Sequence, residues 1–169
     1  MAILKIIQLG NPILRQTAKE VIEADREEVD NLALDMLDTL RSTERGVGLA
    51  ANQVGELMRV IVMYNRYHDA EAVLINPVIL TEKGADKMDY ESCLSAPGIE
   101  ARVMRKQKLK VEYLDRSWQP RTDMLKGFPA RVVAHEIDHL NGVMFFDRLK
   151  GKERTKLAPK LAMLMAANK

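Results

Sequence analysis

The pentad His135-Glu136-Ile137-Asp138-His139 constrains the fold of this 169-residue chain more than any other feature. Two histidines four positions apart lie on the same face of a helix, so both imidazoles can bind one metal ion. The chain has three histidines, and two of them fall in this pentad. Glu136 lies beside the first histidine and can accept a proton from a water molecule that the metal activates. The pentad therefore predicts a metalloenzyme in which a buried helix presents its histidines to a cavity.

The residues around the pentad favour such a helix. Gly127 interrupts the preceding segment, and Pro129 suits the first helical position, where a missing N–H costs nothing. Nothing between residues 129 and 140 breaks a helix, and Asn141-Gly142 is a typical helix end. The sequence predicts a helix over residues 129–140.

A metal site that activates water usually takes three protein ligands and leaves one position open, so a third ligand is needed. In the zinc-peptidase pattern H-E-x-x-H-x-x-G-x-x-H, Phe145 occupies the place of the last histidine. A downstream glutamate ligand is disfavoured, because Asp147 and Glu153 are the only acids after His139. The best candidate is Cys93, since a thiolate and two imidazoles form a known tetrahedral catalytic set. A lone cysteine is otherwise more often a small buried apolar residue.

Three segments resemble one protein family. Glu91-Ser92-Cys93-Leu94-Ser95 resembles the E-G-C-L-S segment of peptide deformylases, and residues 46–53 resemble the G-x-G-x-A-A-x-Q segment of that family. The pentad resembles its Q-H-E-x-D-H segment. The three segments occur in the family's order, and the resemblance covers nearly the whole chain. It implies a metal-dependent hydrolase that removes the formyl group from N-formylmethionine at the start of newly made polypeptides and releases formate.

The resemblance also implies a role for individual residues. Cys93, His135 and His139 would bind one divalent metal ion. Ferrous iron is common in the family, and zinc, nickel or cobalt would fit the same ligands. Glu136 would transfer protons, while the side chain of Gln53 and the backbone N–H of Leu94 would stabilise the oxyanion. The remaining contacts with the substrate would come from Val47, Gly48, Phe128 and Val132.

Two positions depart from the family pattern. Ser92 stands where the family usually has glycine, and Ala134 stands where it usually has glutamine. If that glycine has a positive φ, serine would cost on the order of 1 kcal/mol of strain. If it permits close approach of the substrate, serine would crowd the cleft. Neither change removes a ligand or the base.

Three rival interpretations remain open. A metallopeptidase would share the pentad but would have no use for the Cys93 segment. A non-catalytic, metal-stabilised module would need a fourth ligand, for which His68 is the one remaining histidine. A diverged deformylase with weak or no activity would retain every ligand.

The rest of the sequence is typical of one α+β domain spanning residues 1–169. Periodicity predicts a helix at 26–41, strands at 58–64, 73–80 and 108–114, and turns at 82–84 and 115–117. Strands with few helices between them favour antiparallel sheets. The resemblance implies that these sheets pack around the metal-binding helix, with one N-terminal and one C-terminal helix.

The net charge of +2 conceals a basic C-terminal segment. Residues 148–169 contain seven Lys or Arg and one acid, a net charge of +6, which leaves −4 for the rest of the chain. Leu157, Leu161 and Leu164 follow helical spacing, so this segment is expected to form a basic amphipathic helix. A docked terminal helix with a solvated charged face is the simpler interpretation. The functional alternative is attraction to RNA, which for a deformylase-like protein would mean the ribosome.

Composition limits which cellular compartments and which other partners are expected. One cysteine cannot form an internal disulfide, and residues 1–10 lack the layout of a secretory signal. No apolar run is long enough to span a membrane. We expect a cytoplasmic enzyme, or one from an organellar stroma or matrix if a transit peptide has been removed, with neither DNA nor a membrane as partner.

Overall fold

The computed structural model describes residues 2–168 and has the α+β architecture expected from the sequence. Among these residues the helices are α1 (Arg26–Ser42), α2 (Phe128–Leu140) and α3 (Gly151–Ala167). The strands are β1 (Gly48–Ala50), β2 (Val60–Asn65), β3 (Ala70–Cys93), β4 (Ala96–Leu114) and β5 (Pro120–Lys126). Single turns of 3-10 helix lie at Pro12–Arg15, Glu23–Asp25, Ala51–Val54 and Phe145–Arg148.

The strands form an antiparallel sheet whose spatial order follows the chain, from β1 to β5. Its largest part is the hairpin of β3 and β4, which is far longer than the strands predicted at 73–80 and 108–114. The turn predicted at 82–84 is wrong, because these residues lie inside β3. Gly84 has a φ of +83° and sits where the pairing register shifts between Lys83 and Asp86. A glycine at such a bulge bends the strand without ending it.

Helix α2 is the centre of the molecule and contacts all five strands. It begins at Phe128, one residue earlier than predicted, with Pro129 in its first turn. One face carries Val133, Ile137 and Leu140, which pack among buried side chains of β2, β3 and β4. Because the helix is surrounded, its polar residues are buried as well and must find partners inside the protein.

Helix α3 packs through Leu157 and Leu161 against a second apolar cluster, which includes Phe145 and Phe146. The guanidinium of Arg154 donates to the carbonyl of Phe146 at 2.6 Å and contacts Asp147. Arg148, which the sequence placed in the basic terminal segment, lies in the turn before α3. Among residues 2–168, no helix is both long and apolar enough to cross a membrane.

Candidate metal centre

The end of the β3–β4 hairpin brings a cysteine to the two histidines of α2. Cys93 is the last residue of β3, and the ring centroids of His135 and His139 lie 5.0 Å apart on α2. One donor atom from each of the three residues lies within 4.8 Å of the other two, and all three residues are buried. Cys93 Sγ is 3.2 Å from His139 Nε2. Donor atoms around one tetrahedral metal ion lie roughly 3.5 Å apart, so this set fits a single divalent ion.

A buried carboxylate fixes the orientation of His135. Nδ1 of this histidine lies 2.9 Å from Glu91 Oε2, which leaves Nε2 for a metal. Arg105 holds the same carboxylate with two hydrogen bonds, at 2.6 and 2.9 Å. Burial alone would raise the pKa of Glu91, but the hydrogen bonds from Arg105 and His135 hold it well below its usual range. Glu91 therefore remains an anion that orients the histidine.

The two histidines experience opposite electrostatic environments. Burial lowers the pKa of His135, yet its hydrogen bonds to Cys93 and Glu91 raise it to about 10. Burial and the positive charge of His135 hold the pKa of His139 well below its ordinary value, so this imidazole is neutral. The surroundings of His135 thus favour a positive charge between Cys93 and the carboxylate of Glu91, which is a charge that a metal ion can also supply.

Glu136 points into the cavity without a complete set of partners. Burial raises its pKa to about 7, and Oε2 is buried with no hydrogen-bond partner among the described residues. A carboxyl group whose pKa is near neutrality can accept a proton and return it. Its other oxygen lies so close to Gly48 that a Cβ on this glycine would be 2.5 Å away. Gly48 therefore provides the space that the Glu136 side chain occupies.

The side chain of Gln53 is held in one orientation near the ligands. Its Oε1 accepts from the N–H of Ala50 at 2.8 Å, and its Nε2 donates to Ser95 Oγ at 3.1 Å and Cys93 Sγ at 3.5 Å. Leu94 lies in the two-residue connection between β3 and β4 and lines the same cavity. An amide donor and the end of the hairpin thus meet beside the ligands.

The N-terminal segment hydrogen-bonds both to Gln53 and to the connection between β3 and β4. The N–H of Ile7 donates to the carbonyl of Gln53, and the N–H of Leu9 donates to the carbonyl of Ser95, each at 2.7 Å.

A cavity of about 560 Å³ opens onto this group. Val47, Gly48, Phe128 and Val132 line it, as do Gln53, Leu94, Cys93, His135 and Glu136. His139 is not part of this lining, because it is completely buried. Val47, Phe128 and Val132 thus form an apolar part of a lining that also contains Arg45, Glu100 and Arg131.

The structure locates the two departures from the family pattern. Ser92 is exposed in β3, has no positive φ, and lines the cavity, so the strain considered for this position does not arise. Crowding of the cleft is the effect that its side chain can have. Ala134 packs in the core on the other side of α2 and does not line the cavity.

Sequence reasoning missed the residues that support the ligands. Glu91 could have been found from its spacing, because residues two apart on a strand point to the same side and Cys93 is a candidate ligand. No local sequence pattern indicates that Arg105 contacts Glu91 or that Ser95 contacts Gln53. Phe145, which excluded one peptidase pattern, stacks on the His135 ring with centroids 5.8 Å apart. His68 lies in an exposed turn outside the group, so it offers no fourth ligand.

Comparisons with known proteins agree with this geometry. The sequence model of the polypeptide deformylase family matches residues 3–155. A peptide deformylase of Aquifex aeolicus is 43% identical over 169 residues, covering 97% of this chain and 98% of the relative. One from Dictyoglomus thermophilum is 44% identical over 144 residues, covering 85% of this chain and 91% of the relative. The crystal structure of the Thermus thermophilus peptide deformylase superimposes with a TM-score of 0.88 at 37% identity, covering 97% of this chain and 98% of the other. The chain therefore belongs to the peptide deformylase family, whose members are metal-dependent hydrolases that remove the N-formyl group from nascent peptides.

Proposed function

We propose that Cys93, His135 and His139 bind the divalent metal ion of this deformylase, with ferrous iron as the native ion. The observation that carries the assignment is the convergence of one cysteine sulfur and two imidazoles within 4.8 Å in a buried site. When bound there, the ion would polarise the formyl carbonyl and lower the pKa of an attacking water toward neutrality. The resemblance to the family favours iron, while the donor set also accepts zinc, nickel or cobalt.

Glu136 is the proton carrier of the proposed reaction. It accepts a proton from the water that attacks the formyl carbon. It then delivers this proton to the amine nitrogen as the carbon–nitrogen bond breaks, so that formate and a free amino terminus are released. Its unpartnered Oε2 and its pKa of about 7 support this role.

The formyl oxygen gains negative charge during the attack and requires hydrogen-bond donors. We assign this role to the Gln53 side-chain amide and the Leu94 backbone N–H. The support is that Gln53 Nε2 already lies 3.5 Å from Cys93 Sγ, and that Leu94 directly follows this cysteine. Donors fixed before the reaction stabilise the charge without reorganising.

The first side chain of the substrate would occupy the apolar part of the cavity, against Val47, Phe128 and Val132. Gly48 would contact the substrate through its backbone in β1. An unbranched apolar side chain such as methionine suits these three residues, because a charged side chain packed against them would lose its hydration without gaining a partner.

Anaerobic purification with metal analysis and a formate-release assay on formyl-Met peptides tests the assignment. The parent protein should carry one iron per chain, and Cys93→Ala, His135→Ala and His139→Ala should each lose stoichiometric metal. Full metal occupancy in Cys93→Ala contradicts the three-ligand assignment. If metal-loaded parent protein releases formate no faster than the background without enzyme, the chain is instead a diverged, inactive deformylase.

We also propose that residues 1–169 form one catalytic domain that acts in the cytoplasm and approaches the ribosome through the basic segment 148–169. Lys152, Lys156 and Lys160 follow each other at four-residue intervals along α3, and all three are exposed. Among residues 2–168, no side-chain hydrogen bond or ion pair engages their ammonium groups. Arg154, in contrast, is used to dock the helix.

Replacing the three lysines by glutamine removes charge while keeping good helix formers. Co-sedimentation with ribosomes should weaken in this variant, and that of the parent should weaken with rising salt. Formate release from free peptides serves as the control and should not change. Undiminished co-sedimentation of the variant would show that the charge of α3 is only a solvated face.

A further inference from the structure

Arg131 is a buried arginine on the same face of α2 as His135, one helical turn earlier. The residue is 7% exposed and lies at the wall of the active-site cavity. A buried guanidinium is costly unless its donors are satisfied, so its contacts indicate what it does in the protein.

Every contact of the Arg131 guanidinium connects α2 to the β3–β4 hairpin. Nη1 donates to Glu91 Oε1 at 2.6 Å and to the carbonyl of Val103 at 3.0 Å. Nη2 donates to the carbonyl of Lys87 at 2.7 Å. One planar group thus joins the helix that carries two metal ligands to the strand that carries the third.

The carboxylate of Glu91 is the point where this connection reaches the metal centre. Oε1 accepts from Arg131 and from Arg105 Nε, while Oε2 accepts from Arg105 Nη2 and lies 2.9 Å from His135 Nδ1. A carboxylate has about four acceptor positions, so Glu91 is saturated. Without Arg131 the oxygen that it holds would keep one partner, and the carboxylate could rotate away from His135.

We propose that Arg131 is a positioning residue for the metal centre, acting through Glu91 to fix the His135 ring with Nε2 toward the bound ion. It does so by bridging Glu91 to the backbone of β3 and β4, which a single point charge cannot do. The proposal rests on the metal ligands assigned above.

The dissociation constant of the metal tests this proposal independently of activity. Apo-protein should be titrated with Zn²⁺ or Co²⁺ in competition with a chromophoric chelator. Loss of a group that orients a ligating histidine typically weakens metal binding by 10 to 100-fold, and we expect about tenfold for Arg131→Met. The control is Arg102→Met, which removes an exposed arginine of β4 that contacts the Tyr90 ring and not Glu91. Its metal affinity should equal that of the parent.

A double-mutant cycle separates positioning from general damage to the fold. Because Arg131 acts through Glu91, Arg131→Met should cause no further loss of metal affinity in a Glu91→Gln background. Additive losses would overturn the proposal. An unchanged dissociation constant in Arg131→Met would also overturn it, and an increased KM with parental metal affinity would show that Arg131 contacts the substrate instead.

Arg131→Lys keeps the result decisive if Arg131→Met does not fold. Lysine retains the charge but cannot bridge Glu91, Lys87 and Val103 together, so metal binding should weaken in this variant too. Parental affinity in Arg131→Lys would overturn the proposal. Failure of the parent protein to bind one metal per chain would contradict the metal centre itself, and so would full occupancy in Cys93→Ala. These two results come from the parent protein and from Cys93→Ala, so they can be told apart from any result obtained with the Arg131 variants.

Discussion

Gly48→Ala should disable the base while leaving the metal ligands untouched. In the structure an added Cβ would lie 2.5 Å from Glu136 Oε1 and 2.9 Å from both Cδ and Cγ. Ordinary contact begins near 3.4 Å, so the carboxylate must retreat by about 0.9 Å. Gly48 has no positive φ and pairs with Met63 through its backbone, so alanine can occupy this position in β1 without backbone strain.

The size of the effect follows from that displacement. A misplacement of about 1 Å at a reacting group can cost roughly 10²-fold in rate, or about 2.7 kcal/mol in the activation barrier. We therefore expect kcat/KM for formate release to fall about 100-fold in Gly48→Ala, with one metal ion per chain retained. Gly46→Ala is the matched control, since its Cβ would press on the side chains of Thr43, Leu40 and Leu94 rather than on the base. It should lower the thermal midpoint more than the activity of each folded molecule.

Two results would refute the reasoning. The first is parental kcat/KM in Gly48→Ala at full metal occupancy. The second is an equally large loss when Gly48→Ala is introduced into Glu136→Gln, because a variant that already lacks the base should be insensitive to its displacement.

Four further expectations concern the same site. Glu136→Gln should keep the metal and lose most activity, and metal loss in this variant would contradict its assignment as a non-ligand. Since burial raises the pKa of Glu136 to about 7, activity should fall with decreasing pH as this carboxylate is protonated. The charge of a bound ion opposes that shift, so the midpoint should lie at or just below about 7. A flat profile between about pH 5 and 8 would contradict this expectation. Formyl-Met peptides should exceed formyl-Asp peptides by a large factor in kcat/KM, because Val47, Phe128 and Val132 offer a carboxylate no partner. Comparable rates would contradict the assignment of the first side chain to these residues. Asp138→Asn should reduce the free energy of unfolding by about 3–5 kcal/mol, since it breaks a buried ion pair with Arg105 and a partly exposed one with Arg148. Denaturant unfolding with a loss below about 1 kcal/mol would show that the pairs contribute little.

The parts of this protein that could be predicted from sequence are those with a local pattern. The pentad and Pro129 placed α2 to within one residue, because helix periodicity and helix-start signals depend on near neighbours. The same is true of α1, predicted at 26–41 and observed at Arg26–Ser42. The resemblance to the family then joined Cys93 to the histidines, which no local pattern could have done.

The length of the hairpin and the support of the ligands could not be predicted in this way. Gly84 looks like a turn because its neighbours are polar, and only the pairing of β3 with β4 shows that it is a bulge. Glu91 meets Arg105 from 14 positions away and Arg131 from 40. Such contacts are made by the tertiary fold, so composition and periodicity carry no record of them.

The two buried glutamates explain how one small site can both hold an ion and move a proton. Glu91 has two arginines and a histidine on its carboxylate, so its pKa is held low and it stays charged. Glu136 lies nearby with one oxygen unpartnered, and burial raises its pKa to about 7. The two carboxyl groups are chemically identical, but their pKa values differ because the fold supplies hydrogen-bond donors to Glu91 and few to Glu136. A saturated carboxylate can orient a ligand but has no capacity to take a proton, whereas an unsaturated one can exchange protons but would orient a ligand poorly. Adding a donor to Glu136, or removing one from Glu91, should thus impair different steps even though both carboxylates line the same cavity.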